Sequence, residues 1–157
     1  MPARTLGRPR LEIAADGFVL PAVAAVVAGG LVAAVTDPLD LAHGSWSAAY
    51  LVLVCGVVTA MIGVAQQHVD GSGRSSPSVR LELACLWAGN AAVIAGTLLA
   101  ATPLVDLGGV VLAVGLAIAF VIVRHAGRSP LVVAYRGVLC FVVLSIPVGI
   151  ALSHLRA

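Results

Sequence analysis

The charged residues of this chain fall in clusters and leave five long uncharged runs between them. These run from Asp16 to Asp37 (20 residues), Asp40 to Asp70 (29), Glu82 to Asp106 (23), Asp106 to Arg124 (17) and Arg136 to Arg156 (19). A charge at the centre of a bilayer is costly, so such gaps mark membrane spans. A helix needs about 20 apolar residues to cross a hydrocarbon core, with about 17 as the lower limit. All five runs qualify, which predicts an all-α, polytopic membrane helix bundle of five transmembrane helices. The spans are placed near residues 17–36, 46–67, 81–102, 105–124 and 131–154, in a single membrane domain covering 1–157.

The breaks support this division. Thr36-Asp37-Pro38 ends the first run, the polar stretch from Asp70 to Pro77 separates the second from the third, and Gly127-Arg128-Ser129-Pro130 precedes the fifth, with Pro130 suited to a first helical turn. The turn near Thr102-Pro103 is so short that helices three and four should form a tight antiparallel hairpin. Arginine placement sets the expected orientation. With the N-terminus inside, Arg4, Arg8, Arg10, Arg74, Arg80, Arg124, Arg128 and Arg136 are cytoplasmic, and Arg156 alone is outside. The expectation is therefore N-in/C-out. The arginine-bearing start followed by an apolar run also has the outline of a signal peptide, but the run is long for one.

Composition agrees with a membrane setting. The chain is 61% hydrophobic and 10% charged, against about 45–50% and 25% for soluble domains. All nine basic residues are arginine, and Ala, Val, Leu and Gly dominate, the bias of a GC-rich bacterial genome. The expected location is a bacterial cell membrane, with the lipid bilayer as the first partner. The net charge of +2 gives no reason to expect nucleic acid. Cys55, Cys85 and Cys140 lie inside apolar runs and form no CxxC, so they read as small buried hydrophobes.

Helices in lipid associate through small residues that let backbones approach. The third run carries one at every fourth position, Ala84, Ala88, Ala92, Gly96 and Ala100. This predicts a packing ridge and makes helix three the expected centre of the bundle. Shorter versions occur at Ala25, Gly29 and Ala33, at Gly109, Ala113 and Ala117, and at Ser145, Gly149 and Ser153. Trp46, Tyr50 and Tyr135 sit near span ends and read as interfacial anchors, and Arg136 as a snorkelling residue.

Few residues could carry chemistry. Asn90 lies near the middle of helix three, where its amide needs a partner such as Thr59, Ser145 or a backbone carbonyl; it reads as a structural polar residue. No acidic residue is expected deep in a span, which argues against a carboxylate proton relay and an aspartyl intramembrane protease. No catalytic or metal-binding set is visible, so the chain reads as a non-enzyme. The four histidines fall at helix ends: His43 and His154 at the expected outer face, His68 and His125 at the inner one. Two imidazoles on neighbouring helices can ligate a haem iron, whereas four solvated interfacial histidines need no cofactor.

His43-Gly44-Ser45-Trp46 opens helix two, with Gly56, Gly63 and Gln66-Gln67 following. This stretch resembles the histidine-bearing second helix of the catalytic subunit of the haem-copper oxidase superfamily and of its relatives among nitric-oxide-response membrane proteins. The resemblance covers about 25 of 157 residues, from His43 to Gln67. It implies haem b as cofactor with His43 as a ligand, and His154 is the candidate second ligand. The superfamily subunit has more helices, and its copper-site histidine cluster has no counterpart here, so no oxygen or nitric oxide chemistry is implied. Three functions are thus expected in descending order: an accessory or assembly subunit of a membrane complex, associating with other membrane subunits or itself; a small b-type haem protein for electron transfer or sensing; and a small dimeric transporter.

Overall fold

The computed structural model describes residues 15–69, 77–124 and 130–156. Among them there is no strand, and five helices are long and apolar enough to cross a membrane. Helix α1 opens with a π-helical turn, Ala15–Val19, and continues as Leu20–Thr36. Helix α2 begins at Gly44–Tyr50, widens into a π-helical stretch over Leu51–Val58 and finishes as Thr59–Val69. Helix α3 is Pro77–Leu98, α4 is Thr102–Val123 and α5 is Pro130–Arg156. The expected spans are all present. The largest boundary difference is at α3, which starts at Pro77 rather than near 81, because proline at a first-turn position has no N–H to lose.

Each neighbouring pair is antiparallel. Gly29 of α1 lies against Ala48 and Val52 of α2, while Phe18 packs over Gly63. Across α2 and α3, Tyr50 bonds Asn90 and Gln66 bonds Glu82. Across α3 and α4, Gly96 meets Val105 and Gly89 meets Leu112. Across α4 and α5, Tyr135 bonds the Ala119 carbonyl and His154 meets Asp106. Gln66, Glu82, Arg124 and Arg136 therefore share one end of the bundle, and His43, Asp106 and His154 the other.

The two tight turns at the His43 end close alike. The Leu41 N–H donates to the Thr36 carbonyl and the Ala101 N–H to the Gly96 carbonyl, each bond spanning a residue with positive φ, Asp40 (49°) and Ala100 (52°). This is the left-handed helix stop in which a late N–H satisfies an orphan carbonyl. It makes α3–α4 the tight hairpin expected from the short turn.

That hairpin is built on glycines seven residues apart. A Cβ on Gly89 would lie 2.7 Å from the Leu112 backbone nitrogen, on Gly96 2.7 Å from that of Val105, and on Gly108 2.7 Å from that of Val93; Gly115 meets Cys85 and Leu86. Gly89 and Gly96, like Gly108 and Gly115, are two helical turns apart and drift by only about 20°. The expected ridge does not pack as a unit. Ala92 and Gly96 touch α4, whereas Ala84, Ala88 and Ala100 are exposed. Steps of four advance about 40° each, so five such residues fan over some 160° of the helix. Of the shorter repeats, Ala33, Ala117, Ser145 and Gly149 are likewise exposed, and the side chain of Ser153 lies outside the described residues.

The central helix is α4 rather than α3. It buries Val105, Gly108, Gly109, Leu112, Gly115, Leu116, Ala119 and Val123 and touches α2, α3 and α5. The apolar core gathers at the Glu82 end, where Phe18, Ile62, Ala65, Leu116, Ala119, Val123, Tyr135 and Leu139 are buried together. Large apolar side chains such as Leu20, Leu31, Leu53, Phe141 and Leu144 point outward, as hydrocarbon surroundings permit.

Candidate functional site: a cavity at one end of the bundle

The buried apolar core lies toward the Glu82 end, with a groove of about 290 Å³ between Val57, Ala60, Met61, Val64, Ala65 and Tyr135 beside it, and the bundle is splayed at the His43 end. There α2, α3, α4 and α5 border an open cavity of about 550 Å³. Small-molecule sites are typically about 300–1,000 Å³, apolar with a few placed polar groups. From α2 the wall takes His43, Trp46 and Tyr50, with the two aromatic rings stacked at 5.1 Å between centroids. Thr97 comes from α3, Thr102 and Gly109 from α4, and Ser145 and Gly149 from α5, among aliphatic neighbours such as Val93, Leu112 and Ile146. Among the described residues, no Asp, Glu or Arg side chain lines it. The cavity therefore suits an uncharged molecule with an apolar body and a hydrogen-bonding end.

Local features open it. The π-helical stretch of α2 begins directly after Tyr50, and π turns often mark functional positions. Opposite, α5 carries Pro147, which cannot donate to the carbonyl four residues earlier. Gly149 has nothing within 4 Å of where its Cβ would stand.

Beneath the cavity, the Tyr50 hydroxyl donates to Asn90 Oδ1 at 2.8 Å, and Asn90 Nδ2 donates to the Leu86 carbonyl at 2.8 Å. Asn90 is thus satisfied at both ends, by the expected kind of carbonyl and by a tyrosine from α2. Thr59 donates to Val54 and Ser145 to Val142 instead. Tyr50 is a bonding partner as well as a ring near the span end. Tyr135, expected at the interface, is buried in the core with its hydroxyl donating to Ala119. Arg136 donates through Nη2 to the Val123 and Arg124 carbonyls and so caps α4.

The histidines separate. His43 lines the cavity. His154 lies outside its lining and meets Asp106, Nε2 to Oδ2 at 3.1 Å, on the exposed rim. Among the described residues, the cavity wall thus carries the imidazole of His43 and several hydroxyls, and His154 is not part of it. The side chains of His68 and His125 lie outside the described residues. Among the described residues no three His, Cys, Asp or Glu side chains group as a metal site.

The feature that sequence reasoning missed is at the closed end. Glu82 is 0% exposed and Gln66 3%. Gln66 Nε2 reaches both carboxyl oxygens of Glu82, at 2.7 and 2.8 Å, and Tyr135 stands beside the pair. An acidic side chain is therefore buried in the bundle, near the end of its span rather than deep within it. The signal was available: the rule that starts α5 at Pro130 also starts α3 at Pro77, which carries Glu82 into the second turn. Compared with family models, curated proteins and solved structures, the chain matches none of them.

Proposed function

We propose that this multi-pass protein of a bacterial cytoplasmic membrane binds a small, uncharged amphipathic solute in the outer half of its bundle and moves it across the membrane. The observation that carries this reading is the asymmetry between the larger cleft, bordered by four helices, at one end and the buried core at the other. A carrier with a site reachable from one side and closed to the other has this form. The arginine bias makes the cavity end the outer face. An accessory subunit with a purely structural task has no use for the cavity.

The test uses a background in which Cys55, Cys85 and Cys140 are replaced by alanine. Ser145→Cys in intact cells should react with a membrane-impermeant thiol reagent added outside, and Gly149→Phe in the same chain should slow that reaction about tenfold by filling space that no atom occupies. Protection of Ser145→Cys from the external reagent would sink the reading. Solutes that raise the melting temperature of the natural protein and not of Gly149→Phe identify the ligand class.

The place of His43 in the wall favours a second occupant, a b-type haem held by that single imidazole. A Soret band lost in His43→Ala and retained in His154→Ala is its signature, and colourless protein purified from haem-supplied cells removes it.

A further inference from the structure

Glu82 and Gln66 form a polar site at the sealed end that solute binding does not use. An amide has one donor end and one acceptor end. As placed, Gln66 turns its donor to both oxygens of Glu82, and its own Oε1 is buried with no partner. The two ends of an amide differ little in shape, so their assignment follows from the bonds they make. With the amide turned over, Oε1 faces the carboxyl group and needs a donor there. An ionised carboxylate has none. A protonated one gives its O–H to Oε1, and a neutral carboxyl escapes the cost of a buried charge whichever end of the amide faces it.

Among the described residues, the bonding partner of Glu82 is Gln66, and the ion pair found, His154 with Asp106, lies at the other end of the bundle. From α5, Tyr135 faces the pair but donates its O–H to the Ala119 carbonyl, and Arg136 reaches the Val123 and Arg124 carbonyls. From α4 the nearest charged position is Arg124, at the helix end. From α1 the neighbours are Phe18 and Gly17, the latter against Leu83, and neither titrates. On α3 itself Arg80 is exposed. An unpaired carboxylate here would face the full cost of a buried charge.

The pair also has mechanical leverage. α1 and α2 pack closely into one hairpin and α3 and α4 into another, while α2 and α3 make few close backbone approaches. Two side-chain hydrogen bonds link those hairpins through α2 and α3: Tyr50 to Asn90 beneath the cavity and Gln66 to Glu82 at the sealed end. We infer that Glu82 is a proton-binding site whose proton latches α2 to α3 at the cytoplasmic end, and that releasing this proton to cytoplasmic water unlatches the seal. The inference rests on the transport reading and names its coupling ion.

Two measurements test it. Infrared spectra of the natural protein at neutral pH should contain a protonated-carboxyl C=O band, because exposed Asp and Glu side chains are ionised there. The band should fade on alkalinisation and be missing from Glu82→Gln. In inside-out vesicles of the cysteine-free background, Ala65→Cys reports opening of the seal. Its labelling rate divided by the rate of the same cysteine with Glu82→Gln cancels the thiol's own titration. That ratio should rise about tenfold as the band fades, the weight of one buried hydrogen bond. No band in the natural protein overturns the proton site, whether or not Glu82→Gln folds. A band with a flat ratio overturns the latch. External labelling of Ser145→Cys is a separate readout: if it persists while the latch fails, the cavity reading stands, and if it is lost, the cavity reading falls and takes the coupling role with it.

Discussion

A left-handed backbone at an alanine is a local cost that the rest of the α3–α4 turn must offset. Ala100 sits at φ 52° so that the Ala101 N–H can reach the Gly96 carbonyl at 2.8 Å. Glycine adopts that conformation without a Cβ penalty, so Ala100→Gly should stabilise the protein by about 1 kcal/mol, read as a higher midpoint of thermal unfolding in detergent. Asp40, at φ 49°, belongs to a residue type that tolerates the region better, so Asp40→Gly should gain less. A lower midpoint for Ala100→Gly would mean that the turn is not strained. The turns themselves were legible from Thr36-Asp37-Pro38 and Thr102-Pro103, but not which residue turns left-handed, since alanine is a good helix former. Asn90 was legible, because an amide in hydrocarbon must find partners. Glu82 was not, because a charged residue near the edge of an apolar run reads as the end of the span until the helix is known to start a turn earlier.

At the scale of elements, the five spans could be read directly from the charge gaps, because lipid penalises charge wherever it falls in a helix. The contact faces could not. In water a helix advertises its buried side by polarity, whereas in lipid both sides are apolar and only residue size distinguishes them. In a chain rich in alanine, size is a weak signal, which is why Ala84 and Ala88 face outward while Gly89 carries the contact. Glycines that meet backbone are the more telling sign. Gly108→Val would press its side chain on the Val93 nitrogen and the Gly89 carbonyl, neither of which can swing aside. It should destabilise the α3–α4 hairpin by about 2–3 kcal/mol. Gly137→Ala, inside α5 with nothing within 4 Å of its Cβ, should not destabilise and should gain up to about 1 kcal/mol in the same unfolding measurement. Equal effects of the two substitutions would remove the assigned role of the glycine contacts.

The whole molecule combines two tight hairpins and a fifth helix that close on one another at one end and diverge at the other. This divergence was invisible in the sequence, for the residues that line the cavity are the same valines, glycines and hydroxyls that fill the packed parts of the bundle. On the proposed orientation, the arginines mark the end that meets the cytosol. The described helices place Arg80, Arg124 and Arg136 at the sealed end and Asp37, Asp40 and Asp106 at the open one. Positive charge is retained on the cytoplasmic side, while acidic residues contribute little to the choice. Five antiparallel spans carry the two ends of the described chain to opposite faces, so one reporter fixes the direction of every helix and of the cavity. A phosphatase reporter that is active only outside the cytoplasm should work when fused after Ala157. It should be silent when inserted in the 70–76 segment, where Arg74 lies. The reverse pattern would turn the cavity toward the cytosol and put the Glu82 seal outside, making the molecule a carrier that loads from within.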